Sequence, residues 1–208
     1  YNCLKNKLKK NDIVFNALHG GYGEDGTLQA YLDGLNINYT GSKADSCKIA
    51  ISKHKTKLIA KKNHIKTPEW ALLDINSDFE KNINFEPKYV VKADDQGSTL
   101  GLYIVDTLEE AKKAYKKAKK ISKRVIIEKY IPGREITVGI LNGKVLPIVE
   151  IIPNNNFYDY HAKYADNKTN YVCPANINVE LEKKIKKDAM KIFNLLNCKD
   201  YARVDFRL

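Results

Sequence analysis

The sequence predicts a mixed α/β fold in which strands and helices alternate along the chain and pack in layers. Three observations support this prediction. Apolar β-rich runs recur between helical patterns, Asn142 and Gly143 separate two such runs, and apolar side chains repeat at helical spacing over residues 179–196. With 208 residues the chain has room for roughly one to two domains, each burying its own core.

The N-terminal elements follow from hydrophobic pattern and proline. IVFNAL, residues 13–18, predicts a buried strand, which the loop GGYGEDG follows. TLQAYLDGL then predicts a short helix. A second helix is predicted over residues 44–63, because the next segment contains Pro68 and residues before proline favour an extended backbone.

The middle of the chain predicts a strand, a loop and a helix. KYVVK, residues 88–92, is a strand that runs into the glycine-bearing loop ADDQGSTLG. Thr107 and Glu110 have the spacing of a capping box, so the following helix begins at that point.

The C-terminal part predicts a hairpin, a helix and a strand. Asn-Gly between two apolar runs is the strongest short hairpin signal, and it occurs at residues 142–143. ARVDFRL ends the chain as a strand whose side chains alternate between two faces. The amphipathic helix before it carries Leu181, Ile185, Ala189, Ile192 and Leu196 on one face.

Composition limits the class of protein. A net charge of +11 would suit nucleic acid, an acidic membrane or phosphorylated ligands, but the lysines mostly follow helical spacing, as in residues 111–121, which favours a solvated face. Four widely separated cysteines without a CxxC pair indicate reduced thiols and a cytoplasmic protein. No apolar run reaches the roughly 20 residues that span a bilayer.

Several residues have the chemistry of a phosphate site. An Arg and an Asp two residues apart on the terminal strand form either a plain ion pair, which the strand alone favours, or an anion clamp beside a magnesium ligand. The loop QGSTLG is either a simple turn or a phosphate-binding loop with Ser98 and Thr99 as donors. Lys92 could neutralise phosphates there, and His19 stands at a glycine-rich turn, although a lone histidine is more often structural.

The aromatic segment FYDYHAKY, residues 157–164, has two interpretations. Its aromatic side chains either anchor a loop to the core or form a lid that excludes water from a reactive intermediate.

Taken together, the motifs resemble the D-alanine–D-alanine ligases of the ATP-grasp superfamily, over nearly the whole chain. The resemblance implies an ATP-grasp fold with the remnant of an N-terminal α/β domain. It divides the chain into the rest of the substrate-binding domain (1–42), a central subdomain (43–127) and a truncated C-terminal subdomain (128–208). The motifs are HGGYGEDGTLQ, YTGS, the Lys92 strand with QGSTLG, IIEKYIPGREITVGIL, FYDYHAKY with YVCPA, and YARVDF.

The family's reaction is what the resemblance implies for function. ATP phosphorylates the carboxylate of one D-alanine, and the amine of a second attacks the acylphosphate, giving the dipeptide of peptidoglycan with ADP and phosphate. ATP and two Mg²⁺ or Mn²⁺ ions are the implied cofactors, and the position of Tyr164 resembles dipeptide-forming enzymes rather than ester-forming ones.

Residue roles are carried over from the same resemblance. Catalysis is assigned to Ser98, Tyr164 and Arg203, and substrate binding to His19 together with Tyr164 and Arg203. Asp205 is assigned to the metal. The nucleotide is assigned to Lys53, Lys92, Glu128, Lys129, Ile131, Glu135 and Lys163.

Two departures and the chain ends qualify the resemblance. The family usually has Glu where Gln96 and His161 stand. It also has an upstream glutamate for the first D-alanine and, downstream, a Glu and an Asn that bind magnesium. We therefore expect the 208-residue piece to be inactive alone, and the full-length enzyme to be a cytoplasmic homodimer.

Two other functions would share some of these features. Another ATP-grasp carboxylate–amine ligase would share the Lys92 and Asp205 features, but would not be expected to carry HGGYGEDG and FYDYHAKY together. A basic nucleic-acid-binding module would need aromatic side chains interleaved with the basic residues, and the sequence has no such platform. Neither nucleic acid nor a membrane is an expected partner.

Overall fold

Strands and helices alternate along the chain in the computed structural model, which confirms the mixed α/β prediction. It describes residues 6–74, 79, 81–97, 100–153 and 169–208. The elements are β1 (Ile13–Val14), α1 (Thr27–Gly34), β2 (Asn38–Tyr39), α2 (Ala44–Ala50), α3 (Lys53–Lys62), β3 (Trp70–Leu73), β4 (Tyr89–Ala93), β5 (Tyr103–Val105), α4 (Leu108–Ala118), β6 (Val125–Lys129), β7 (Glu135–Leu141), β8 (Lys144–Ile152), β9 (Asn170–Val172), α5 (Val179–Leu195) and β10 (Tyr201–Arg207).

The described strands form three sheets. β1 and β2 pair in parallel. The central sheet is antiparallel with the order β3-β6-β4-β5, and the C-terminal sheet is antiparallel with the order β10-β7-β8-β9. Each four-stranded sheet has a helix on one face, α4 on the central sheet and α5 on the C-terminal sheet, so each has its own apolar core.

The helix α4 begins at the predicted capping box. The Glu110 amide donates to Thr107 Oγ1 at 3.2 Å, and the Thr107 amide donates to Glu110 Oε2 at 3.2 Å. Small side chains at Ala111, Ala114 and Ala118 are buried against the sheet, while the lysines between them are exposed. The solvated-face interpretation of these lysines is therefore confirmed.

The C-terminal sheet also forms as predicted. Asn142 and Gly143 both have positive φ, at 47° and 73°. A two-residue hairpin turn needs these values in order to match the right-handed twist of its strands. β10 pairs with β7 so that Asp205 lies opposite Thr137. The apolar side chains of β10, Ala202, Val204 and Phe206, pack into the core under α5, and Leu208 directly after the strand joins them.

Two predicted elements were wrong in extent. The strand predicted over residues 13–18 is two residues long, and Ile13 and Phe15 are exposed, because β2 is the only strand pairing with it among the described residues. The helix predicted over residues 44–63 is two helices, since Ser52 is extended and caps α3 by accepting from the Lys55 amide at 3.3 Å.

The two four-stranded sheets are joined through α3 and the segment before it. Ala60 and Ile65 pack with Ile192 and Leu196 at the end of α5. Ser46 Oγ donates to the Asn197 carbonyl at 2.7 Å. These contacts tie the helix that carries Lys53 to the end of α5.

No described helix is both long enough and apolar enough to cross a membrane. The longest of them, α5, has 17 residues and is amphipathic, with charged residues along its exposed side.

Candidate functional site

A buried carboxylate with two lysines lies on the face of the central sheet opposite α4. Glu128 on β6 is held by Lys92 on β4, whose Nζ is 2.5 Å from Oε1, and by Lys57 on α3, whose Nζ is 2.9 Å from Oε2. Since side chains alternate along a strand, the neighbours Val91 and Ile127 point into the core on the other face. The structure thus brings predicted Lys92 and Glu128 together.

The charges of this cluster depend on one another. Burial opposes ionisation of Glu128, yet the ammonium groups of Lys92 and Lys57 hold its pKa below the usual value. Burial also lowers the pKa of Lys57, and the Glu128 carboxylate opposes that shift. A charged carboxylate between two charged lysines leaves one net positive charge on this face.

Lys53, at the first position of α3, extends the positive region. Its Nζ donates to the carbonyl of Gln96 at 2.6 Å and to that of Asp94 at 3.2 Å. Burial, followed by repulsion from Lys92, lowers the pKa of Lys53 to about 8. Lys53 therefore joins the lysine cluster to the loop that follows β4.

Asp94 anchors that arrangement and was missed in the sequence. Its carboxylate is fully buried and accepts from Ser52 Oγ at 2.8 Å, from the His54 amide at 2.7 Å and from Arg124 Nη2 at 2.9 Å. This fixes the start of α3 against the loop after β4. An acidic residue directly after a β-strand was the available signal.

Lys57 was also missed, although its spacing contained a signal. It stands four residues after Lys53 on α3, so the two side chains share one side of the helix. A sequence rich in lysine hides such a pair, because helical spacing between lysines is common in it.

The glycine-rich loop after β1 approaches the loop after β4. A Cβ placed on Gly97 would lie 3.5 Å from Glu24 Oε2, and His19 Nδ1 lies 3.8 Å from Glu24 Oε1. The His19 side chain is 86% exposed. The structure therefore places Glu24 beside Gly97 in the loop after β4, with His19 next to Glu24 and accessible to a ligand.

The predicted Arg203 and Asp205 form an exposed ion pair on β10. Arg203 Nε lies 3.0 Å from Asp205 Oδ1 and Nη2 lies 3.2 Å from Oδ2, while Thr137 Oγ1 donates to Oδ1 at 2.7 Å. The two side chains are 63% and 53% exposed. A guanidinium that is fixed by two hydrogen bonds and open to solvent can bind an anionic group.

Arg207 organises the neighbouring segment and was not among the predicted site residues. Its guanidinium lies 3.6 Å from Glu135 Oε2, donates to the Ile131 carbonyl at 3.3 Å and stacks over the Tyr130 ring at 5.8 Å. Lys129 is exposed, and its amide donates to the Glu69 carbonyl at 2.9 Å. Lys129 at the end of β6, Ile131 in the connection and Glu135 at the start of β7 thus follow one another in a single stretch of chain.

Some predicted residues lie outside the described part of the chain: Ser98, Lys163 and Tyr164, and with them His161. Within the part that is described, no group of three or more His, Cys, Asp and Glu side chains could hold a metal ion. The exposed carboxylate of Asp205 has the hard oxygen donors that Mg²⁺ prefers, so it fits a single ligand position.

Comparison with known proteins shows the same family along the chain. The family model described as D-ala D-ala ligase C-terminus matches residues 52–208, and that described as D-ala D-ala ligase N-terminus matches residues 3–42. The D-alanine–D-alanine ligase of Saccharophagus degradans is 42% identical over 196 residues, which are 94% of this chain. The chain spans 62% of the length of that relative.

Solved structures agree with the sequence comparison. The D-alanine–D-alanine ligase of Bacillus anthracis has a TM-score of 0.86 and 37% identity over 100% of this chain and 68% of its own. Its complex with ATP has a TM-score of 0.80 and 33% identity over 95% and 64%. The predicted ATP-grasp fold is confirmed by these matches, and the chain belongs to the D-alanine–D-alanine ligase family.

Proposed function

We propose that the protein joins two D-alanine molecules at the expense of ATP, through D-alanyl phosphate, with release of ADP and phosphate. The observation that carries this proposal is the placement of the cationic side chains: Lys53 of α3 lies near Lys92 of β4, and Arg203 forms an exposed pair with Asp205 on β10. A relative in the same family has been solved as a complex with ATP. Fixed cations suit phosphoryl transfer, because catalysis of that step is mostly positioning and charge stabilisation.

The nucleotide would be held by the described cluster. Lys53 and Lys92 would face the phosphates, since both carry ammonium groups beside the loop after β4. The segment with Glu128, Lys129 and Ile131 would hold adenine, and Glu135 would bind the ribose hydroxyls.

Charge on the transferring group would be met by β10. Arg203 would bind the phosphoryl oxygens, and Asp205 would supply one oxygen ligand to Mg²⁺ or Mn²⁺, which neutralises phosphate charge when bound. His19 is proposed to contact the first D-alanine, because its side chain is exposed beside Glu24.

Further parts of the proposal rest on the family resemblance. Ser98, Lys163 and Tyr164 are proposed to act in the active-site loop and lid, with D-alanine as acceptor. We also propose the division into residues 1–42, 43–127 and 128–208, a homodimer, and action in the cytoplasm.

The test is phosphate release by the complete gene product from ATP and magnesium with D-alanine, and with L-alanine, D-lactate or no substrate as controls. Arg203→Ala should lower kcat roughly 100-fold or more, as removal of a transition-state donor does. Arg134→Ala is the matched control, since Arg134 also pairs with a carboxylate of the same sheet, that of Glu150.

Two results would contradict the proposal. Turnover with another acid and amine but none with D-alanine would leave the fold and remove the substrate. Equal rates in the two arginine variants would remove Arg203 from the reaction.

A further inference from the structure

Lys57 is a buried lysine that the proposed reaction does not use. Its side chain is 9% exposed, and its Nζ lies 2.9 Å from Glu128 Oε2 and 2.7 Å from Thr67 Oγ1. The same ammonium lies 5.0 Å from the centre of the Trp70 ring, a cation–π contact. Burying a charged lysine costs free energy, so the burial of Lys57 calls for a role beyond packing.

Lys57 changes the net charge of the group that contains Lys92 and Glu128. The Glu128 carboxylate contacts the Lys92 ammonium at 2.5 Å, and such a pair by itself has no net charge. Lys57 binds the other oxygen of the same carboxylate and restores one positive charge to the group. Electrostatic attraction to a ligand depends on this net charge, and it is weakly screened in a buried site.

Lys53 shows that the field of this group reaches the loop after β4. The charge of Lys92 contributes to the lowered pKa of Lys53, so the two ammonium groups lie in one electrostatic environment. Glu128 acts on the same ammonium group, so an anion bound beside Lys53 and Lys92 also experiences the charge on Glu128, the carboxylate that Lys57 contacts at 2.9 Å.

We propose that Lys57 is a positioning residue that acts through Glu128. It offsets the charge of that carboxylate, so that the group of Lys57, Lys92 and Glu128 keeps one net positive charge near the phosphates of the nucleotide. This inference rests on the proposed ATP site. Lys57 need not contact the nucleotide, since it acts through the shared carboxylate.

The test measures the affinities for ATP and for adenosine, which lacks phosphates, by titration calorimetry on the complete protein. Lys57→Met keeps an unbranched apolar side chain, one heavy atom shorter than lysine, and removes the charge. We expect it to lower the ratio of ATP to adenosine affinity about tenfold, with adenosine affinity changed less than about twofold. A purely structural role would weaken both ligands together and leave the ratio unchanged.

A second variant tests the charge argument directly. Lys57→Met with Glu128→Gln removes one charge of each sign, so the net charge of the group returns to that of the natural chain. The affinity ratio should return to within about threefold of the unsubstituted protein. This variant also leaves no unpaired buried carboxylate, so it serves if Lys57→Met alone fails to fold.

Lys61→Met is the matched control. Lys61 stands one turn further along α3, is exposed, and lies over the same Trp70 ring at 5.7 Å. Its substitution should leave the ratio within about twofold.

The outcomes separate the two proposals. No ATP binding by the unsubstituted protein would overturn the proposed function and this inference with it. ATP binding with an unchanged ratio in Lys57→Met, or a ratio still about tenfold low in the double variant, would overturn the role of Lys57 and leave the proposed function standing.

Discussion

Replacement of Asp94 by alanine is the substitution expected to disturb the site's framework most. The carboxylate is fully buried, and it connects Ser52, the His54 amide and Arg124, which come from the start of α3 and the connection before β6. Alanine leaves all three donors without this acceptor. Among the described residues, the start of α3 then keeps only the contacts of Lys53 with the backbone carbonyls of Asp94 and Gln96 as its ties to the loop after β4.

The expected loss follows from these contacts. A hydrogen bond to a charged group contributes about 1.5–3 kcal/mol, but the three share one carboxylate and do not add. Arg124 is partly exposed and can turn to water, whereas Ser52 and the His54 amide are less able to do so. We expect the free energy of unfolding to fall by about 3 kcal/mol for Asp94→Ala and by about half of that for Asp94→Asn, which keeps one acceptor.

Trp70 makes the measurement local, because it is the only tryptophan in the chain and its indole Nε1 donates to His54 at 3.0 Å. Urea unfolding followed by its fluorescence should show a lower midpoint with an unchanged slope. Asp95→Asn, at the exposed neighbouring position, is the control. A loss below about 1 kcal/mol in Asp94→Ala would refute the view that this carboxylate holds α3 in place.

Two further predictions concern Lys53 and the hairpin. Since the pKa of Lys53 is lowered to about 8, its ammonium loses its proton as the pH rises from about 7 to 9. ATP affinity measured by calorimetry should fall several-fold over that range and lose this dependence in Lys53→Met; a flat profile in the unsubstituted protein would contradict the assignment. Gly143→Ala should cost about 1 kcal/mol in urea unfolding, because φ is 73° and no atom lies within 4 Å of the new Cβ. Gly34→Ala, at the last residue of α1 and without a positive φ, should be neutral or stabilising, and an equal loss there would show that backbone conformation is not the cause.

The sequence was informative wherever the signal was local. The turn at Asn142 and Gly143, the capping box at Thr107 and the alternation along β10 each depend on neighbours within a few residues. The family motifs likewise named Lys92 and Glu128, which the structure places in contact.

Tertiary contacts decided the rest. The helix predicted over residues 44–63 breaks at Ser52, whose hydroxyl binds Asp94, 42 positions away. The length of β1 depends on which strands lie beside it, and a hydrophobic run does not specify them. Local periodicity thus determined most of the elements, and the motifs carried the resemblance to the family. Only the folded chain decided that Lys57 and Lys92 share the Glu128 carboxylate, because that pairing depends on how α3 packs across β4 and β6.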